Sequence, residues 1–143
     1  MSSEIARLKL QGICIYGTFD LRSVPMPTTG DYLRDAQHFE EWCRDEFLPG
    51  NPFESLSPTA CVNTILMHLS RFLWIEREVV EFDKRKLIPR YLANDPPFID
   101  DEVFHHVGAF LDLRGLSETE IEWLRQHTEM LRAQMNAHLG IKV

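Results

Sequence analysis

The sequence predicts a mainly α-helical fold, a four-helix bundle-like domain that carries a small β-hairpin or strand at its N-terminus. Four segments repeat apolar residues at three- and four-residue steps, which is the spacing of one helix face. Short breaks rich in proline, glycine and asparagine separate these segments. Because each apolar face needs a partner, helices with short connections favour a bundle.

The length and composition are those of one globular domain. The 143 residues are 44% hydrophobic and 26% charged, which disfavours disorder and low complexity. We therefore predict a single domain over residues 1–143. It consists of an N-terminal strand or hairpin over residues 1–24 and a helical bundle over residues 31–139.

The N-terminal segment alternates apolar and other residues on both sides of Gly12, as the two strands of a hairpin do. In that register Leu10 pairs with Ile13 and Leu8 with Ile15, so one face is apolar throughout. A helix that ends at Gly12 is the alternative for the first half of this segment. The alternation favours the strand, although the sequence does not decide between strand and helix.

The first bundle helix is predicted to begin near Asp31 and to end before Pro49 and Gly50. Prolines between residues 23 and 30 separate it from the N-terminal segment. Its apolar face is formed by residues at helical steps, namely Tyr32, Ala36, Phe39, Cys43 and Phe47.

The second helix has a well-marked start, with Ser57 as the capping residue and Pro58 at the first helical position. The pattern predicts one continuous helix to about Lys86, limited by Pro89. On this continuous helix Glu76 lies near the centre of the apolar stripe.

The third helix is predicted from about Asp100 to Leu113, because Gly115 follows it. The fourth begins with a Ser-x-x-Glu capping box at Ser117 and ends at Gly140.

A carboxylate in an apolar stripe is costly unless it is paired, protonated or bound to a metal. Glu76 is therefore the candidate buried carboxylate of the sequence. The functional interpretation makes it a metal ligand or a proton-transfer group. The structural interpretation, which we favour, is a carboxylate that is hydrogen-bonded to a neighbouring polar group or exposed to solvent at a helix end.

A helical-bundle metal enzyme is the alternative function that Glu76 suggests. Carboxylate and histidine three residues apart share a helix face, as bundle di-metal sites require. The candidate ligands are Asp35, His38, Glu76, Glu102 and His106. His38 lies off the apolar face of its helix, so we favour no metal and predict no cofactor.

The basic cluster of the sequence is a candidate phosphate contact and consists of Lys84, Arg85, Lys86 and Arg90. It supports a second alternative, an RNA-associated helical domain. However, the net charge of −7 makes nucleic-acid binding an unfavourable prediction, because cations supply most of that affinity. Compensation of a helix C-terminal dipole is the simpler explanation of the cluster.

A second apolar face favours self-association. Met67 and Trp74 point away from the main stripe of the second helix, as Trp123 and Met130 do on the fourth. Tryptophan and methionine are enriched in interfaces, so these residues predict a homodimer interface.

Arg132 and His138 have the loose Arg-x(4–6)-His spacing of helical ribonucleases of the HEPN type. The resemblance covers these two residues, and Ala133 stands where that family usually has a polar residue. Helical wheels separate the two side chains by roughly 120°, so we infer no nuclease function from them.

The sequence therefore predicts a non-catalytic protein–protein interaction or regulatory module, a homodimer that binds a protein partner. No catalytic serine elbow, phosphate loop or Cys-x-x-Cys pair is present. The absence of a long apolar run and of a signal peptide predicts a cytoplasmic protein with no membrane contact.

Overall fold

The fold is mainly helical, as predicted. The computed structural model describes residues 2–11 and 25–143, and within these ranges it contains no β-strand. None of the helices in these ranges is long and apolar enough to span a bilayer. The helices are α1 (Ser2–Gln11), α2 (Thr29–Trp42), α3 (Pro58–Arg77), α4 (Lys84–Leu92), α5 (Asp101–Leu111) and α6 (Glu118–Leu139).

Helix α3 is the centre of the packing, with α2, α4 and α6 against it. Helix α5 packs on α4 and α6, and α1 packs on α2. The core that these helices enclose includes the fully buried side chains of Ile65, Leu69, Phe72, Tyr91, Leu124 and Met135. The burial of this apolar surface stabilises the bundle.

The predicted helix starts at Ser57 and Ser117 are confirmed. Each serine accepts a hydrogen bond from the backbone N–H of the third residue of its helix, and Ser117 forms the predicted capping box with Glu120. Thr28 forms a second capping box with Asp31 at the start of α2. These caps satisfy backbone N–H groups that have no partner within the helix.

The prediction of one helix from Ser57 to about Lys86 is wrong. Glu78 adopts a left-handed conformation with φ 54°, and the N–H of Val79 donates to the carbonyl of Leu73 at 2.9 Å. This is the backbone pattern that ends a helix. The chain restarts as α4 after Asp83, whose side chain caps the new helix.

Pro89 lies inside α4 instead of limiting the preceding helix. Because α4 begins at Lys84, the basic cluster lies at and after a helix N-terminus. The predicted compensation of a C-terminal dipole is therefore wrong for Lys84, Arg85 and Lys86, whereas Arg90 lies in the last turn of α4, where a cation is favoured.

The N-terminal segment is helical where it is described, since α1 covers Ser2–Gln11. This is the alternative that the sequence left open for the first half of the segment. The second half of the predicted hairpin, residues 12–24, lies outside the described residues. Helix α1 is tied to α2 by a hydrogen bond from the backbone N–H of Ser2 to the carboxylate of Asp35.

The turn that follows α5 contains a strained and exposed leucine, Leu113. Leu113 has φ 60° and is 93% exposed, so its side chain gains little packing while its backbone is left-handed. We expect Leu113→Gly to raise the free energy of unfolding by about 0.5–1 kcal/mol, because glycine adopts this conformation without steric cost. Urea denaturation measures the change.

The matched control is Leu92→Gly at the end of α4, where the leucine is 41% exposed and its backbone is helical. There we expect a loss of stability of about 0.5–1 kcal/mol. Destabilisation by Leu113→Gly as well would contradict the assignment of strain to this turn.

Candidate functional site

A fully buried carboxylate joins three helices near the C-terminal end of α2. The side chain of Glu40 has no solvent exposure, and its Oε1 accepts a hydrogen bond from Nη1 of Arg71 on α3 at 2.6 Å. Its Oε2 accepts a hydrogen bond from Nη2 of Arg132 on α6. Both arginine side chains are about nine-tenths buried. The carboxylate is therefore the polar centre of the α2, α3 and α6 packing.

His68 completes this group, which we call the Glu40 cluster: Glu40, His68, Arg71 and Arg132. The imidazole is fully buried, and its Nδ1 lies 2.7 Å from the carbonyl oxygen of Thr64. Burial lowers the pKa of His68 despite the nearby carboxylate, so the ring is neutral at neutral pH. Its one N–H then donates to Thr64, which leaves Nε2 as an acceptor 3.5 Å from Nη1 of Arg71.

Glu40 is ionised over the whole physiological range. Burial alone would raise its pKa, but the hydrogen bond from Arg71 and the charges of Arg71 and Arg132 lower it to about 2. Two guanidinium charges against one carboxylate leave the cluster with one positive charge when His68 is neutral.

Aromatic rings cover the two guanidinium groups. The Cζ of Arg71 lies 5.2 Å from the ring centre of Phe39, and the Cζ of Arg132 lies 5.5 Å from that of Phe53. Such contacts attract a cation to the ring face and help to hold it out of water.

A cavity of about 250 Å³ lies beside the Glu40 cluster. Its walls are mostly apolar, and Glu40, His68 and Arg132 of the cluster line part of it. The other lining residues come from α2, from the connection to α3 and from α3 itself, and include Phe39, Trp42, Cys43, Phe47, Leu48, Phe53, Leu56 and Met67. Apolar walls with a few polar groups are typical of binding sites.

Exposed aromatic residues line the same cavity. Trp42 is 43% exposed and Phe39 is 38% exposed. The indole lies 5.7 Å from the ring of Phe39 and 5.4 Å from that of Phe47, measured between ring centres. Together Phe39, Trp42 and Phe47 form what we call the aromatic rim.

A π-helical turn connects the aromatic rim to the rest of the cavity. Over Cys43–Phe47 the helix widens, and the N–H of Leu48 donates to the carbonyl of Cys43 at 2.8 Å. Such turns are rare and are found frequently at functional sites. Here the turn lies between Trp42 and Leu48, which both line the cavity.

Cys43 faces this cavity but is not an activated nucleophile. Burial raises the pKa of its thiol, and the negative charge of Glu40 raises it further. The thiol is therefore protonated at neutral pH, whereas reactive cysteines are thiolates.

A second cavity of about 330 Å³ lies on the other side of Phe39 and Met67, which line both spaces. Arg71 lines this second cavity together with the carboxylate residues Glu4 and Asp35. Trp74 also lines it and stacks on Tyr32, with 4.7 Å between ring centres. The two arginines of the Glu40 cluster thus border different cavities.

The prediction that Glu76 lies in a buried stripe is wrong, whereas the favoured interpretation of a carboxylate exposed at a helix end agrees with the structure. Its side chain is 36% exposed and lies 3.8 Å from Nε2 of His138, in the last turn of α3. Because α3 ends at Arg77, no further turn buries this position. His138 accordingly lies beside Glu76, whereas Arg132 contacts Glu40, so the Arg-x5-His pair shares no site.

The candidate metal ligands are not brought together. Asp35 accepts a hydrogen bond from Ser2, Glu76 lies beside His138, and His106 lies 3.4 Å from Glu120. His38 and Glu102 are exposed. Among residues 2–11 and 25–143 no three histidine, cysteine or acidic side chains are placed to hold a metal ion.

The basic cluster is largely engaged by the chain itself. Lys84 donates to Asn63 at 2.9 Å, and Arg85 donates to the carbonyl of Leu111 at 3.1 Å. Arg90 pairs with Glu81 at 3.2 Å, and Lys86 is exposed. These contacts reduce the cationic surface that a phosphate could meet.

The predicted interface residues lie in different surroundings. Met67 and Trp74 line the second cavity, whereas Trp123 is stacked between His106 and His127 with ring centres 4.8 and 3.7 Å away. Met130 is 55% exposed on α6. The homodimer interface of these four residues stays a prediction.

The Glu40 cluster was not predicted, although its signal is in the sequence. Glu40 follows Tyr32 and Ala36 at four-residue steps and precedes Cys43 by three, so it continues their buried face. Sequence analysis placed Phe39 on that face instead. A charged residue at the centre of a helical stripe, with histidine or arginine on another stripe, is the pattern that would have found the cluster.

Comparison of the chain with protein-family models, curated proteins and solved structures gives no match. Its function is therefore inferred from the chemistry of the site.

Proposed function

We propose that the protein is a non-catalytic binding module, which recognises a partner protein by taking up one of its aromatic side chains in the cavity beside the Glu40 cluster. The observation that carries the proposal is the aromatic rim, where Trp42 and Phe39 stay more than one-third exposed beside an apolar cavity. Exposed aromatic clusters mark binding surfaces, and tryptophan is prominent among residues that dominate interface affinity.

The size and lining of the cavity support an aromatic occupant. A volume of about 250 Å³ lies just below the range of drug-sized sites and suits a single side chain. Phe39, Trp42, Phe47 and Phe53 offer ring faces and edges, with which another ring packs favourably. The ion pairs of Glu40 with Arg71 and Arg132 fix the position of the polar part of the cavity lining.

The protonation states of the site favour binding over catalysis. A carboxylate with a pKa of about 2 is a weak general base at neutral pH. The thiol of Cys43 is protonated, and the one N–H of neutral His68 is held by Thr64. These groups are suited to fixing the shape and charge of a site.

Side-chain analogues test the proposal without knowledge of the partner. Toluene and indole, which represent the side chains of phenylalanine and tryptophan, would be titrated into the protein and followed by amide NMR. We expect saturable shifts at Cys43, Leu48, Thr64 and Met67. No saturable shift at these residues with either compound would overturn the proposal.

A rim variant sharpens this test. We expect Trp42→Ala to weaken binding of indole by roughly tenfold, because the indole of Trp42 is a wall of the site. Its exposure limits the accompanying loss of stability to about 1 kcal/mol. Leu33→Ala is the matched control, since Leu33 is on the same helix and is 37% exposed but does not line the cavity. Equal binding by both variants would exclude the rim from recognition.

A further inference from the structure

Arg132 has hydrogen-bonding capacity that its own chain does not use. Its Nη2 donates to Glu40, while its other N–H groups have no hydrogen-bond partner in the described part of the chain. The guanidinium also lines the cavity beside the aromatic rim. These N–H groups are not fully enclosed by the described part of the chain, so they are accessible from outside the packed core. Arg132 therefore offers donors toward the cavity.

The charge of the Glu40 cluster favours an anion at this position. Both carboxylate oxygens of Glu40 are already bonded to arginines, and one positive charge remains uncompensated. Arg132 contributes to this charge while its side chain is only 9% exposed, so water screens it weakly. A carboxylate on the cavity side would neutralise the cluster and form charge-assisted hydrogen bonds with Arg132.

The cavity beside Arg71 lacks this preference. The acidic residues Glu4 and Asp35 line it together with Arg71, so its lining is richer in carboxylates than that of the cavity beside Arg132. In the cavity beside Arg132, Glu40 is the lining carboxylate, and two guanidinium groups hold it. Because the two cavities differ in their charged lining residues, we place the carboxylate of the ligand in the cavity beside Arg132.

Resting on the proposed function, we propose that the occupant is the C-terminal residue of a partner protein, with its aromatic side chain against the rim and its free α-carboxylate on Arg132. The apolar walls require an apolar body, and Arg132 requires a carboxylate beside it. Because Arg132 is buried, the two groups must enter together. The end of a chain can enter a small cavity, whereas a chain that passes through it cannot.

Two ligands that differ only in the carboxylate test this inference on the unmodified protein. N-acetylphenylalanine has the free carboxylate, and N-acetylphenylalanine amide replaces it with a neutral group of the same shape. We expect the acid to bind at least about tenfold more tightly by calorimetry, as a charge-assisted pair predicts. Equal affinity of acid and amide would overturn the carboxylate inference and leave aromatic docking standing. Failure of both compounds where indole and toluene bind would overturn the chain-end occupant.

The NMR resonances of the arginine side chains give a second measurement, which reports the position of the carboxylate and not the affinity of the ligand. We expect the Nε–H resonance of Arg132 to shift with the acid more than with the amide, while that of Arg71 serves as the internal reference. A shift of the Arg71 resonance alone would place the carboxylate of the ligand in the cavity beside Arg71. This result would overturn its placement on Arg132.

Phenylpropanoate separates the two sources of an aromatic carboxylate, because it has the ring and the charge but no peptide group. We expect it to bind more weakly than N-acetylphenylalanine. Equal or tighter binding of phenylpropanoate would assign the cavity to a free organic acid and overturn the chain-end occupant. Absence of binding by toluene, indole, the two acids and the amide would instead overturn the proposed function itself.

Discussion

Replacing Glu40 by alanine is expected to lower the free energy of unfolding by about 3–5 kcal/mol, because it breaks two buried ion pairs at once. The variant leaves Arg71 and Arg132 buried without their common partner. It also leaves a gap where three helices meet, so a packing loss adds to the electrostatic one. Urea denaturation followed by circular dichroism measures the change through the transition midpoint.

Glu41→Ala is the matched control, because it removes the next carboxylate of the same helix. The side chain of Glu41 is only partly buried and accepts a hydrogen bond from Gln37 at 3.2 Å. We expect a change within about 0.5 kcal/mol. Similar losses for the two variants would show that the buried ion pairs of Glu40 do not hold the helices together.

Acidification is expected to destabilise the protein in two stages. The titration of His68 causes the first stage, and the titration of Glu40 causes the second. Because the folded pKa of His68 lies below its ordinary value of 6.5, the unfolded chain takes up this proton first and stability falls as the pH drops below about 6.5. Glu40 is lowered from 4.5 to about 2, so its contribution is complete above pH 4.5 and is lost toward pH 2. This second stage amounts to about 3 kcal/mol.

Glu40→Gln isolates the second stage, since glutamine keeps the shape of the side chain and cannot titrate. We expect the stability difference between the native protein and this variant to be constant above about pH 6.5, where His68 is neutral in both proteins, and to shrink as the pH falls from about 4.5 toward 2. Denaturant titrations at a series of pH values give this difference. A difference that does not change with pH would contradict the low pKa of Glu40.

The helices were predictable because their signals are local. Ser57 with Pro58, and Ser117 with Glu120, mark helix starts within one turn of chain, and both starts are where the pattern places them. Gly140 likewise ends α6 in the left-handed conformation that favours glycine.

The break after α3 was not predictable from the same rules. Glu78 takes a left-handed backbone conformation without being glycine or asparagine, so no residue type marks the helix end. The valines that follow continue the apolar pattern, which made one long helix the simpler interpretation. As a result, Glu76 was predicted to lie in the core, whereas it lies at the exposed end of α3.

The candidate site escaped prediction because its members are distant in the sequence. Glu40, Arg71 and Arg132 lie on three helices, and nothing local to any one of them identifies its partners. Periodicity shows which face of a helix is buried, but it does not show which buried charge meets which. The aromatic rim was also hidden, since the π-helical turn after Trp42 alters the helical spacing there.

The long-range ion pairs of Glu40 also have a consequence for the kinetics of folding. They bridge 31 and 92 residues of chain, so they form only after α2, α3 and α6 have come together. Interactions that are absent from the transition state act on the rate of unfolding. We therefore expect the Glu40 cluster to slow the opening of the native bundle while leaving the speed of its assembly nearly unchanged.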